Sequence, residues 1–190
     1  MEVVCEENEI KIRYLEKNNG DIETLCNWLN TEDVYKYYGS SKYKSVEFIR
    51  EKYGKRIDDE DIYPCIIEYN GKSIGYVQFY KVNLNNYDLD KENFEKLVKQ
   101  DDIVYAIDIF LAEDINRNKG IGTKTLKLLI KTLLTKYKAD TILIDPKTNN
   151  LRAIKCYKKC GFQESFIAKK REEHDGIKYD NIIMKIKKEI

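Results

Sequence analysis

Apolar positions along the chain follow two rhythms, alternation in some segments and a three-to-four-residue spacing in others, and the switches between them mark out the elements. Glu9 to Leu15 alternates and is predicted as a strand. Asp21 to Asn30 sets Leu25, Trp28 and Leu29 on one side of a helix, and Ser45 to Tyr53 reads as a second helix with Ser45 as its N-cap. Tyr63 to Tyr69 and Ser73 to Val82 are strands joined through Asn70-Gly71, a pair suited to a tight hairpin turn. Asp102 to Ala112 is the longest apolar run and reads as a strand. Gly122 to Tyr137 carries Leu126, Leu129, Ile130, Leu133 and Leu134 at helical spacing, and Thr141 to Ile144 is a short apolar strand. A helix from Asn150 to Cys160, closed by Gly161, precedes two strands near Phe162 to Ala168 and Lys178 to Ile186. This order predicts an α/β (α+β) fold, with a central mixed, mostly antiparallel sheet flanked by helices.

The segment from Asn83 to Asp101 breaks both rhythms. It is polar, holds at most a short helix at Lys91 to Lys99, and is long for a hairpin connection, which makes it a candidate binding loop. With 190 residues the chain has room for one domain, spanning 1–190, with a well-buried core. Its 34 Lys and Arg against 33 Asp and Glu leave no overall field, so a nucleic-acid partner is not expected. No run approaches the roughly 20 apolar residues of a membrane span, and the polar start lacks the apolar stretch of a signal peptide; no membrane partner and a cytoplasmic location are expected. Five cysteines without a repeated C-x-x-C read as reduced thiols, and with one histidine in the chain no metal is expected.

Chemistry concentrates in the second half. Arg117-Asn118-Lys119-Gly120-Ile121-Gly122 lies between the long strand and an amphipathic helix. Gly120 and Gly122 remove β-carbons that would keep a phosphate from main-chain N–H groups, and the helix offers its unpaired N–H donors and positive dipole end. Glycines before helices also serve purely structural ends. Asp108 interrupts an apolar strand, where an ionised carboxylate costs several kcal/mol unless it is paired or faces a cleft. It reads either as a strand-end partner for a lysine or as the group that orients a substrate amine and takes its proton. Tyr157, four residues before Gly161, is either a core tyrosine or a phenol poised to protonate a leaving thiolate. Asn150 is an ordinary N-cap that can also touch a cofactor. Asp145-Pro146 ends a strand; beside Asp108 it would place a second carboxylate at the same sheet end and suit an acceptor with several ammonium groups. Asp58 to Asp61, and Asp88 to Asp108 with seven acids against three lysines, are either solvated loops or a local negative field. His174 reads as a turn residue.

Arg117 to Gly122 together with Asn149 to Phe162 resembles the acetyl-CoA site of the GNAT N-acetyltransferase superfamily. A longer set is similar to the aminoglycoside 6′-N-acetyltransferases, including the acetyltransferase half of the bifunctional resistance enzyme: Trp28-Leu29, Glu32 to Val34 with Tyr37 to Gly39, Ile66 to Asn70, Ile74 to Tyr76 with Gln78 and Tyr80, Tyr105 to Asp108, and Asp145-Pro146 with Asn150 to Phe162. Where that family often reads Ile-Asp-Gln, this chain has Ile109 after Asp108. The resemblance implies acetyl-CoA as cosubstrate and an aminoglycoside as acceptor, acetylated at its 6′-amine by direct transfer. It implies coenzyme contacts from Phe110, Arg117, Asn118, Lys119, Gly120, Ile121, Gly122, Thr123, Asn150 and Tyr157, acceptor contacts from Glu60, Gln78, Asp108 and Asp145, and catalysis by Asp108 and Tyr157. A monomer or homodimer is expected. The alternatives are a GNAT enzyme acting on a protein N-terminus or a polyamine, and a non-catalytic acetyl-CoA-binding regulator, which could dispense with Asp108 and Tyr157.

Overall fold

A computed structural model describes residues 2–112 and 120–188. Eight strands form one sheet: β1 (Val3–Glu7), β2 (Ile10–Tyr14), β3 (Ile62–Tyr69), β4 (Lys72–Lys81), β5 (Val104–Leu111), β6 (Thr141–Ile144), β7 (Gln163–His174) and β8 (Ile177–Lys187), in the order β1-β2-β3-β4-β5-β6-β8-β7. Every pairing is antiparallel except that of β5 with β6. The Asn70-Gly71 turn has positive φ at both residues, 50° and 73°, the conformation that asparagine and glycine tolerate best and that matches strand twist in a two-residue hairpin. The described helices are α1 (Asn19–Leu29), α2 (Glu32–Tyr35), α3 (Val46–Ile57), α4 (Lys91–Glu95), α5 (Ile121–Thr135) and α6 (Leu151–Lys159). The Ser45 hydroxyl caps α3 by accepting from the Phe48 N–H at 3.2 Å, as its sequence position predicts.

Strand alternation divides the interior. On one face of β5, Tyr105 and Ile107 pack with Leu126, Leu129 and Leu133 of α5 and with Ile154 and Tyr157 of α6. On the other face, Val104 and Ala106 lie under Tyr87, Phe94 and Leu97 from the segment between β4 and β5, whereas Phe110 packs with Tyr76 and with Leu25, Leu29, Ile49 and Tyr53 of α1 and α3. The expected loop at 83–101 is therefore a small apolar cap of its own, with α4 shorter than the predicted helix. Asp108 falls between Ala106 and Phe110, at the seam where one cap ends and the other begins.

Three elements depart from the sequence reading. β1 and α2 were not predicted, and β7 runs to His174 rather than stopping near Ala168. β1 and β7 are edge strands with mostly exposed side chains, so they need no apolar alternation. α2 is one turn long, too short for a period to register.

Buried charge fixes α1 against the sheet. The Arg13 guanidinium donates two bonds to Asp21 (2.7 and 2.8 Å) and one to Glu68 (2.7 Å), with side-chain exposures of 6, 11 and 12%. Burial raises the Asp21 pKa, yet the bonds from Arg13 and from the Glu16 N–H outweigh it and hold the carboxyl below its ordinary range. Asp21→Ala leaves a buried guanidinium half-paired and is expected to cost about 3 kcal/mol, read as a fall in the urea midpoint at unchanged m-value.

Candidate active site

The site begins where two strands part. β5 and β6 pair in parallel only at Val104–Thr141, Tyr105–Ile142 and Ala106–Leu143. Beyond them β5 runs on to Leu111 paired with β4, while β6 ends at Ile144 beside β8. Among the described residues, the main chain of β5 from Ile107 to Phe110 that faces β6 has no strand partner, and this open edge gives onto a cleft of about 1150 Å³. That exceeds the roughly 300–1,000 Å³ typical of a pocket for one small ligand and leaves room for two reactants. The cleft takes in Asp108 to Leu111, the start of α5, Ile144 to Lys147, much of α6, the stretch from Tyr37 to Lys44, and Glu172 and His174 of β7.

Asp108 lies within β5, two residues past its last pair with β6, and Asp145 directly follows β6, so the two carboxylates fall at the same end of the parallel pair, as the sequence reading expects. Each is backed by an arginine. Gln78, opposite Asp108 on β4, donates from Nε2 to Asp108 Oδ2 at 3.2 Å, while its Oε1 accepts from the Tyr76 hydroxyl and the Arg56 guanidinium, both at 2.9 Å. Arg56 lies over the Tyr53 ring, 4.9 Å from its centroid. Asp145 accepts directly from Arg171 Nε at 2.8 Å. Burial, then repulsion from Asp145 and Glu172, pushes the Asp108 pKa up to about 7 against the opposing pull of Arg56 and Arg171. Asp145 is also raised by burial, with Arg171 opposing the rise.

At the other end, Gly120 is the N-cap of α5 at φ 77°, a left-handed geometry that glycine adopts without strain. Gly120, Gly122 and Thr123 line the cleft; Ile121 turns its side chain into the core, leaving only its main chain for a ligand. Asn150 caps α6, its side chain accepting from the Ala153 N–H at 3.2 Å, and also lines the cleft with Phe110 and Tyr157. Tyr157 is 8% exposed, and burial followed by the negative charge of Cys156, Asp108 and Asp145 raises its pKa. Glycines without β-carbons, a helix N-terminus and an adjoining open strand edge fit a pyrophosphate with an amide-bearing arm. Arg117, Asn118 and Lys119 lie outside the described residues.

Two expected acceptor contacts sit elsewhere. Glu60 is exposed in the turn between α3 and β3 and is not in the cleft wall; Gln78 is 4% exposed and reaches the cleft through Asp108. The acid-rich loops hold local partners: Asp58 pairs with Lys17, Asp61 with Lys81, and Asp90 caps α4. His174 ends β7 and faces Glu172 at 3.0 Å, inside the cleft rather than in the turn. Arg56, Arg171, Glu172 and Cys156, whose Sγ lies 3.4 Å from Thr123 Oγ1, were not anticipated. Only the excess of acid over apolar neighbours at Asp108 pointed to buried counter-charges.

Residues 17–168 match the acetyltransferase (GNAT) domain family. The aminoglycoside N(6′)-acetyltransferase type 1 of Klebsiella pneumoniae is 33% identical over 145 residues, which is 75% of this chain and 69% of that protein. A solved structure of the aminoglycoside acetyltransferase AAC(6′)-Ib with coenzyme A and kanamycin superposes with a TM-score of 0.74 at 26% identity, covering 94% of each chain. The spermine/spermidine N(1)-acetyltransferase of Bacillus subtilis is 30% identical over 100 residues, 53% of this chain and 59% of that one. The chain belongs to the GNAT acetyltransferases and, within them, to the aminoglycoside 6′-N-acetyltransferase family.

The Asp108 carboxyl has a consequence for stability. Its folded pKa lies above the unfolded value, so the native state binds the extra proton and stability falls as pH rises from about 4 to about 7. Asp108→Asn removes that penalty. Its stability relative to the wild type, read as a difference in melting temperature, is expected to climb across this window and level off above pH 7, the free-energy difference having an upper limit of about 4 kcal/mol. A flat difference from pH 4 to 8 in calorimetric scans would contradict the raised pKa.

Proposed function

We propose that the protein transfers the acetyl group of acetyl-CoA to the 6′-amine of aminoglycoside antibiotics and so confers resistance to them. The reading rests above all on the placement of Asp108, Asp145 and Tyr157 around the gap between β5 and β6, in one cleft with the glycine-capped start of α5. The main chain of Gly120 to Thr123 and the open edge of β5 hold the coenzyme, with Phe110 and Asn150 at its flank. Bound acetyl-CoA supplies an activated acetyl group on sulfur.

The chain's own residues manage protons and position. Asp145 holds one ammonium of the polycationic acceptor. Asp108, with a pKa of about 7, orients the reacting amine and accepts its proton, and Gln78 fixes one oxygen of that carboxylate. Tyr157 stays protonated at neutral pH because burial opposes the phenolate, so it can deliver a proton to the departing thiolate. Direct attack fits the residues present, since the single histidine bonds Glu172 and makes no hydrogen bond to a serine or cysteine among the described residues. Likeness to a spermine/spermidine acetyltransferase makes a polyamine the competing acceptor.

In a thiol-release assay, kanamycin is expected to be turned over in preference to spermidine and to an N-terminal peptide, and analogues lacking the 6′-amine to be inert; preference for spermidine would transfer the assignment to polyamines. Asp108→Asn is expected to lower kcat by about 10²–10⁴-fold and Tyr157→Phe by about 10²-fold, with the KM for acetyl-CoA nearly unchanged. Wild-type turnover in the Asp108 variant would remove it from the mechanism.

A further inference from the structure

Arg171 is out of character for its surroundings. It lies on β7, an edge strand whose neighbouring Lys169 and Lys170 are exposed, yet its side chain is only 8% accessible. A break in the β7–β8 register between Ala168 and Glu172 accounts for this: Lys170 takes φ 53°, and its N–H bonds Asp180 Oδ1 at 2.8 Å. Such an irregularity re-aims the side chain that follows it. Arg171 turns inward, Nε donates to Asp145 Oδ2 at 2.8 Å, one terminal nitrogen donates to the carbonyl of Asp88, and the guanidinium lies 4.5 Å from the centre of the Tyr87 ring.

We infer that Arg171 is a positioning residue for the acceptor, fastening the Tyr87-Asp88 stretch to Asp145 so that the 82–98 cap braces this cleft carboxylate from behind. The inference rests on the aminoglycoside reading above and deepens it. Asp145 is one side chain with two demands on it. It must stay ionised to hold an ammonium, although Asp108 from β5 and Glu172 from β7 repel its charge and the phenols of Tyr80, Tyr87 and Tyr157 crowd it from β4, the cap and α6. Lys147 sits 3.9 Å from Glu172 and over the Tyr179 ring, and so serves Glu172 rather than Asp145. Arg171 is the cation in direct contact with Asp145, and its planar fork also grips the cap, which an ammonium could not do in the same geometry. The acceptor's fit to Asp145 therefore depends on the cap, through a residue that does not touch the acceptor.

Arg171→Gln and Arg171→Lys test this in the full-length enzyme with kanamycin as acceptor. In Arg171→Gln the kanamycin KM is expected to rise about tenfold to a hundredfold, the acetyl-CoA KM and the kcat measured above the acidic limb to change little, and the acidic limb of kcat/KM for kanamycin to move to higher pH, because Asp145 in direct contact and Asp108 at longer range both lose the charge that opposes their protonation. Arg171→Lys should restore the position of the pH limb but leave hydrogen exchange at residues 83–98 faster than in the wild type. An unmoved limb with unchanged kanamycin KM, or equal losses in kanamycin and acetyl-CoA parameters, overturns the inference, as does unaltered exchange of the cap in both variants. Exchange is read without turnover, so a wild type inactive on every aminoglycoside would remove the acceptor assignment while the tie between Arg171 and the cap is still decided.

Discussion

The structure depends on the point at which β5 and β6 stop pairing. Strands normally pair along their shared length, since each peptide N–H or C=O left without a ladder partner has to be satisfied some other way. Here three residue pairs form and β6 then ends, so from Ile107 to Phe110 β5 continues with no strand on that edge among the described residues. The shortness of β6 is written in Asp145-Pro146: proline cannot donate to a ladder, and aspartate cannot continue an apolar core. From that termination follow the exposed peptide groups, the facing of Asp108 within β5 by Asp145 past the end of β6, and the gap into which α6 presents Tyr157.

The second organising feature is a polar seam across an otherwise apolar face. Tyr76, Gln78 and Tyr80 on β4 run beside Phe110, Asp108 and Ala106 on β5. At the ends of this stripe the side chains join two separate apolar clusters, one roofed by α1 and α3 and the other by the 82–98 cap. The middle position of each strand belongs to neither apolar cluster, and there the sequence has glutamine and aspartate. The cost of holding a carboxylate at the seam is visible in its pKa of about 7, and Arg56 limits that cost through Gln78 without neutralising the acid outright. An arginine bonded directly to Asp108 would hold it as a permanent anion and a poor base; the intervening amide keeps it near the pH at which it has to exchange protons.

Much of this arrangement is legible in the sequence because it violates local rules. Asp108 breaks an apolar run, Asn70-Gly71 and Gly120 mark backbone that other residues resist, and Asn150 with Gly161 brackets a helix, so both the sheet's centre and the coenzyme end could be read from short windows. What escaped had no short-window signature. Arg171 reaches Asp145 and Asp88 across 26 and 83 residues, and Arg56 reaches Gln78 across 22. Each looks like an ordinary surface cation among polar neighbours. β1 escaped because an edge strand next to α5 needs only Val4 buried, and Glu60 was placed by likeness in a turn whose side chain the structure leaves in solvent.

A cleft that takes both a polyanionic coenzyme and a polycationic acceptor has to keep opposite charges apart. The carboxylates Asp108, Asp145 and Glu172 come from β5, the end of β6 and β7, with Arg56 and Arg171 set behind the first two. Arg152, Lys155 and Lys159 repeat at helical spacing along one side of α6, the helix whose Cys156 touches Thr123 at the start of α5. Positive charge therefore gathers around the glycine-capped helix end, where the dipole has the same sign, and negative charge gathers where the strands part. The two fields meet at Tyr157. A neutral phenol suits that boundary, because either ion there would be repelled by one side, and in the proposed transfer the sulfur it would face is neutral as thioester and anionic only as it leaves. The overall charge of only +1 thus conceals two opposed patches, and it is their separation along α6 and β5 that gives each reactant its own end of the cleft.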